Sequence, residues 1–119
     1  MNKKWVKVSS VAFVIVLLIA GCGQKSPSFP TGTYTSGNSK IDFNKDGTIT
    51  VYSVGLQVDS GTYTESDNSK IVINSDECGP DAPGSYKWKF DGSVLNFTVV
   101  KDNCFIRSNT LTTGNWTKQ

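Results

Sequence analysis

The chain has no histidine and a single methionine in 119 residues, and charged side chains make up only 18% of it. Without histidine, general acid–base chemistry would fall to carboxylates, lysine or tyrosine, and the commonest metal ligand is missing. Its three cysteines, Cys22, Cys78 and Cys104, offer no C-x-x-C spacing. That argues against a thiolate zinc site or a redox pair. No serine nucleophile elbow and no phosphate-cradling glycine loop occurs. No uninterrupted apolar run reaches the roughly 20 residues that a membrane span needs. A net charge of only +2 leaves no basic face for nucleic acid. The expectation from these absences is a protein that is not an enzyme, with no cofactor, no metal and no nucleic-acid partner.

What is present begins at the N-terminus. Lys3, Lys4 and Lys7 precede an apolar run from Val11 to Ala20, which closes as Leu18-Ile19-Ala20-Gly21-Cys22. A basic start, an apolar stretch of roughly 7–15 residues and small residues at the end make a secretory signal peptide. Its last four residues, Ile19-Ala20-Gly21-Cys22, resemble a bacterial lipobox. The resemblance implies cleavage before Cys22 and a diacylglycerol on the Cys22 sulfur. The protein would then be a lipoprotein on the extracytoplasmic face of a bacterial membrane. Two or three acyl chains, at about 0.8 kcal/mol per buried methylene, make such anchoring stable. The alternative is an ordinary signal peptide cut near Ala20, leaving Cys22 free. The expected divisions are a signal peptide over 1–21, a lipidated cysteine and short tether over 22–31, and a domain over 32–119. The tether is polar and carries Pro27 and Pro30.

Removing the signal segment changes the arithmetic. Cys22 to Gln119 is 98 residues, enough for one modest core. With Lys3, Lys4 and Lys7 gone, 9 basic residues face 10 acidic ones. With Cys22 assigned to lipid, Cys78 and Cys104 remain as an even pair in an oxidising compartment, where disulfides persist. Closing their 26-residue separation would contribute about 3.5 kcal/mol in the loop-entropy picture.

From Gly32 onward the pattern is β. Apolar residues alternate, turn residues interrupt at short intervals, and no stretch supports a helix. Tyr86-Lys87-Trp88-Lys89-Phe90 puts three aromatics on one face and two lysines on the other; Asp91-Gly92 then signals a hairpin. Val94 to Lys101 follows, with Leu95, Phe97 and Val99 inward. Earlier strands are expected at Gly32–Thr35, Lys40–Asn44, Thr48–Val54, Leu56–Thr64 and Lys70–Asn74. The fourth of these carries Val58 and Tyr63, with a change of parity near Ser60-Gly61 that suggests a bulge. A last strand is expected near Thr110–Thr117. Gly32-Thr33-Tyr34-Thr35 recurs as Gly61-Thr62-Tyr63-Thr64, and Gly84-Ser85-Tyr86 echoes it. Short hairpins that repeat in this way predict an all-β, up-and-down antiparallel β-barrel of about eight strands, which leaves no exposed sheet edge. A two-sheet sandwich is the alternative.

Gly32-Thr33-Tyr34 after Phe29 is similar to the opening strand of lipocalin-like barrels, with tyrosine where that family has tryptophan. The stretch from Cys78 through Tyr86, Trp88, Phe90, Leu95, Asp102, Cys104, Arg107 and Leu111 to Trp116 resembles small bacterial lipocalin-like (calycin-type) proteins. The resemblance implies a barrel that binds a small apolar ligand, and a basic side chain that closes one barrel end over an aromatic. Arg107 over Tyr34 or Trp116 would fill that role through cation–π attraction. An aromatic pocket built from Tyr86, Trp88 and Trp116 is the expected ligand site. The other reading of those three is plain core.

Two acidic stretches read as structure. Asn44-Lys45-Asp46-Gly47-Thr48 is half of a calcium loop without its later glutamate, and a hairpin turn explains it. Asp76, Glu77 and Asp81 line the longest connection, 74–84, where a lid or a partner contact would sit. The expected function is a lipid-anchored, extracytoplasmic binding module for a small hydrophobic ligand, monomeric and tied to the membrane through Cys22. The alternative is a filled barrel that contacts or inhibits a protein partner through its loops.

Overall fold

The structure, a computed structural model, describes residues 28–66 and 69–119. The expected signal peptide, the lipidated Cys22 and most of the tether lie outside the described residues. The strands are β1 (Gly32–Ser36), β2 (Ser39–Phe43), β3 (Thr48–Ser53), β4 (Leu56–Ser66), β5 (Lys70–Ser75), β6 (Gly84–Phe90), β7 (Val94–Lys101) and β8 (Trp116–Lys118). They form a closed barrel in which each pairs antiparallel with its sequence neighbours and β8 returns to β1. The eight-strand up-and-down barrel is therefore present, and the sandwich is excluded.

The turns follow from local chemistry. At 44–47, Asp46 Oδ1 accepts the Thr48 N–H at 2.9 Å and its hydroxyl at 2.6 Å. At 91–93, Asp91 Oδ1 accepts the Ser93 and Val94 N–H groups. The β3–β4 hairpin turns at Val54-Gly55, where both residues have positive φ, 49° and 82°. That conformation suits Asn-Gly and is uncommon for a β-branched side chain.

Three expectations are corrected. A helix, α1 (Phe105–Thr112), occupies the first part of what read as the last strand, which shrinks to Trp116–Lys118. Helix α1 buries only Arg107 and Leu111, a pair four residues apart with one charged member, so no apolar stripe announces it. Its hydroxyls bond back to the preceding turn, Thr110 to the Ile106 carbonyl and Thr112 to the Ser108 carbonyl. Val58 is exposed rather than inward: the register shifts opposite Val51 and Tyr52, so that Val51 faces Asp59 and Tyr52 faces Gln57. Val58 is the extra residue of a bulge, and inward parity runs through Asp59, Gly61 and Tyr63. Val99, expected inside, is 43% exposed at the far end of β7.

The repeat has a physical reading. Tyr34, Tyr63 and Tyr86, each two residues after a glycine, are all buried. Tyr34 donates its hydroxyl to the Pro30 carbonyl and Tyr63 donates to the Asn44 carbonyl, both at 2.6 Å. Tyr86 donates to the Asp102 carboxylate. A buried phenol needs such an acceptor.

The two barrel ends differ. At one end, Phe29 enters the interior and lies 3% exposed. Its ring meets Phe43 at 4.9 Å, Tyr63 at 5.4 Å and Trp88 at 5.4 Å, edge-on or tilted. A residue of the expected tether is thus a plug of the core, held also by its N–H on Glu65 Oε1. The opposite end carries the turns at 37–38 and 54–55, a short 3-10 turn (Asp76–Cys78) and α1. There the Cys78–Cys104 disulfide, with its Cα atoms 5.8 Å apart, ties the β5–β6 connection to the start of α1.

Candidate functional site

The aromatic residues crowd the Phe29 end, where Phe43, Tyr63, Trp88 and Phe97 surround the plug. The other half, which also holds Tyr86 and Trp116, is not full where β2 to β5 bring aliphatic side chains to face α1. A cavity of about 250 Å³ opens there between α1 and the wall made by β2 to β5. Its apolar walls are Ile41, Ile49, Val51, Ile73 and Leu111. Of its polar lining only Ser75 and Arg107 are buried; Asp59, Glu77, Tyr52, Thr110 and three serines line its more exposed part. The volume lies below the roughly 300–1,000 Å³ of drug-sized sites, but above the approximately 150 Å³ apolar cavity that admits benzene.

The residues expected to bind ligand lie elsewhere. Tyr86, Trp88 and Trp116 are all buried, and none lines this cavity. Trp88 packs on the Phe29 plug. Trp116 donates its indole N–H to the Leu111 carbonyl at 3.2 Å beneath α1. The aromatics were the visible signal, yet they fill space. The room is left where isoleucine, valine and leucine face one another, and that contrast in side-chain volume was the clue available in the sequence.

Arg107 stands at the closed side of the helix end, but its partner is a carboxylate rather than an aromatic face. Nε and Nη2 each donate to Asp102 at 2.7 Å, Nη1 donates to Ser75 Oγ at 3.1 Å, and Nη2 also reaches the Ala82 carbonyl. The Asp102 side chain has no solvent exposure. Asp102 also accepts the Cys104 N–H at 2.8 Å, the donor just before α1. Burial alone would raise the Asp102 carboxyl, but hydrogen bonds from Arg107, Tyr86 and Cys104 outweigh it and hold the group below its ordinary range. The same bond to Asp102 keeps Arg107 more firmly protonated. Burial first, then the bond to Asp102, pushes the Tyr86 hydroxyl well up. Tyr34, the other candidate for closure, lies at the Phe29 end and packs on Phe43 and Phe90. Burial pushes its hydroxyl up to about 12.

The helix end also exposes apolar side chains, of which Val58 and Ile106 line the cavity. Val54 is 72%, Leu56 70% and Phe105 75% exposed, with Val58 and Ile106 beside them. Among the described residues, no group of three or more His, Cys, Asp or Glu side chains is placed to hold a metal ion. No helix among them is long and apolar enough to cross a membrane. The fold and cavity thus define a closed antiparallel barrel with one plugged end and one partly open end. No family model matches the chain, and no curated protein or solved structure is significantly similar to it.

Proposed function

We propose that this chain is a lipid-anchored, extracytoplasmic lipocalin-like module that binds a small hydrophobic molecule in the helix-end cavity. The observation that carries the reading is the cavity itself: about 250 Å³ with five aliphatic walls, in a barrel otherwise packed with aromatics. The anchor rests on Leu18-Ile19-Ala20-Gly21-Cys22. Phe29 is fixed at the plugged end, and residues 23–28 alone separate it from Cys22. That span reaches about 24 Å at most. The anchor would therefore keep the plugged end within that distance of the membrane surface.

Calorimetric titration of the purified protein with ethylbenzene tests the binding. Saturable one-site uptake is expected, and it should be lost in Val51→Phe, which fills the cavity with a larger apolar side chain. Absence of uptake by the unaltered protein would defeat the reading. For the anchor, Cys22→Ala should move the protein from the membrane to the soluble extracytoplasmic fraction; unchanged retention would refute it.

A second reading, contact with a protein partner at the helix end, is favoured by one observation. Val54 is held at positive φ while exposing its side chain, an arrangement that neither solubility nor turn chemistry asks for. In that reading the contact lies on the β3–β4 hairpin and α1 rather than on the 74–84 connection.

A further inference from the structure

The hydrogen bonds around Arg107 leave two donors unused at the cavity wall. A guanidinium carries five N–H donors. One Nε and two Nη2 donors go to Asp102 and Ala82, and one Nη1 donor goes to Ser75 Oγ. Arg107 also shares a hydrogen bond with the Tyr86 hydroxyl, itself bonded to Asp102, while Nη1 makes a single bond among the described residues, to Ser75. Ser75 Oγ is an acceptor in its one side-chain hydrogen bond, so its own proton is also unclaimed. Ser75 is 7% and Arg107 6% exposed, and both line the cavity. A buried donor left without an acceptor is costly, and here two lie beside the same apolar space.

The charge around them decides what kind of acceptor fits. Asp102 already neutralises Arg107 at 2.7 Å. Asp59 and Glu77 stand at the lip, so an anion would meet carboxylates on its way in and find no free positive charge within. A neutral oxygen meets neither obstacle. Beyond it the buried part of the wall, Ile41, Ile49, Ile73 and Leu111, is aliphatic, with hydroxyl groups only in the more exposed part, which sets the rest of the molecule.

We infer that the cavity selects a neutral carbonyl compound, a ketone, aldehyde, ester or amide, with its oxygen on Ser75 Oγ–H and Arg107 Nη1–H and its apolar body against Ile41, Ile49, Val51, Ile73 and Leu111. The inference rests on the binding function proposed above and names the ligand class for that same cavity. Asp102 acts through Arg107 as a positioning residue, because it holds the guanidinium plane against Ser75.

Three probes of one skeleton test it on the full protein: acetophenone, ethylbenzene and 1-phenylethylamine, the last cationic at neutral pH. Binding is measured by calorimetry for the unaltered protein and for Ser75→Ala. The acetophenone dissociation constant should rise roughly threefold to tenfold in Ser75→Ala, the loss of one hydrogen bond, while that for ethylbenzene stays within twofold. A variant-free readout accompanies this: in the unaltered protein, the Arg107 side-chain N–H and Ser75 amide resonances should shift with acetophenone and not with ethylbenzene. If both neutral probes bind but Ser75→Ala weakens them equally and neither set of resonances responds to the carbonyl, the ligand-class inference is overturned while the binding reading stands. Preferential binding of 1-phenylethylamine would also overturn it, in favour of the acidic lip. If none of the three binds, both fall.

Discussion

Arg107 grips Asp102 with two parallel hydrogen bonds of 2.7 Å, through Nε and Nη2, in a place where the carboxylate has no access to water. The pair joins four separate parts of the helix end: the link before α1, the helix itself, and through Ser75 and Ala82 the end of β5 and the connection to β6. It sits behind the disulfide and beside the cavity, so its integrity bears on both stability and binding.

Removing the Asp102 charge leaves a buried guanidinium unpaired. Asp102→Asn should cost about 3–5 kcal/mol, the usual penalty for breaking a buried pair from one side. The sign of the pH dependence follows from the depressed carboxyl. A folded value below the unfolded one, which is about 4, gives a contribution fully present above that pH and lost as pH falls through the folded value. Urea unfolding between pH 2 and 6 should show the gap between the unaltered protein and Asp102→Asn narrowing below about pH 4. A gap that does not change with pH would show that the carboxylate charge is not what the variant removes.

Gly84 is the residue that lets the pair approach β6. A Cβ placed there would lie 2.4 Å from Asp102 Oδ2, 2.7 Å from its Cγ and 3.0 Å from Arg107 Nε. Gly84→Ala should therefore cost about 1–3 kcal/mol by overpacking. In an Asp102→Ala background most of that penalty should vanish, because the clashing carboxylate is gone. Strict additivity of the two changes in a double-mutant cycle would mean that Gly84 is needed for another reason.

The alternation Tyr86-Lys87-Trp88-Lys89-Phe90 made β6 legible, and its burial follows the pattern, with Phe90 at the strand end only half-buried. The turns at Asp46-Gly47 and Asp91-Gly92 were equally readable, since an Asx side chain and a glycine carry the turn in themselves. Helix α1 was not readable, because two of its three apolar residues, Phe105 and Ile106, mark the wet face while Arg107 shares the buried one with Leu111. Phe29 lies between polar residues and prolines, so no periodicity flagged it as core. The change of parity in β4 was legible, but the bulge lies at Val58 rather than at Ser60-Gly61, so the inward residue at that level is Asp59. The cavity could not be read from residue types singly; it depends on which part of the barrel receives rings and which receives aliphatic chains.

Alkaline conditions should probe the plugged end. Burial pushes the Tyr34 hydroxyl up to about 12, above the ordinary value of about 10. A phenol raised on folding contributes stability fully below the unfolded value, and loses it as pH rises through the folded one. The protein should keep Tyr34 protonated at pH 10 and lose stability between about pH 10 and 12. A phenolate absorbance titration, with Tyr34→Phe as control, follows this directly. Ionisation of Tyr34 near pH 10 without loss of the fold would contradict the burial described.

The Phe29 plug makes the last prediction. Its ring lies against Phe43, Tyr63, Trp88 and Phe97, and its N–H is taken by Glu65. Phe29→Ala should cost about 3–5 kcal/mol, in the range for a buried phenylalanine. The gap left would lie at the aromatic end, remote from Arg107 and Ser75. Ethylbenzene uptake at the helix end should thus stay unchanged under conditions where the variant is folded. Denaturant unfolding and calorimetry on one sample separate the two effects. A neutral change in stability would return Phe29 to the tether. A lost helix-end site with the fold intact would show that the two halves of the barrel are coupled more tightly than their separate packing implies.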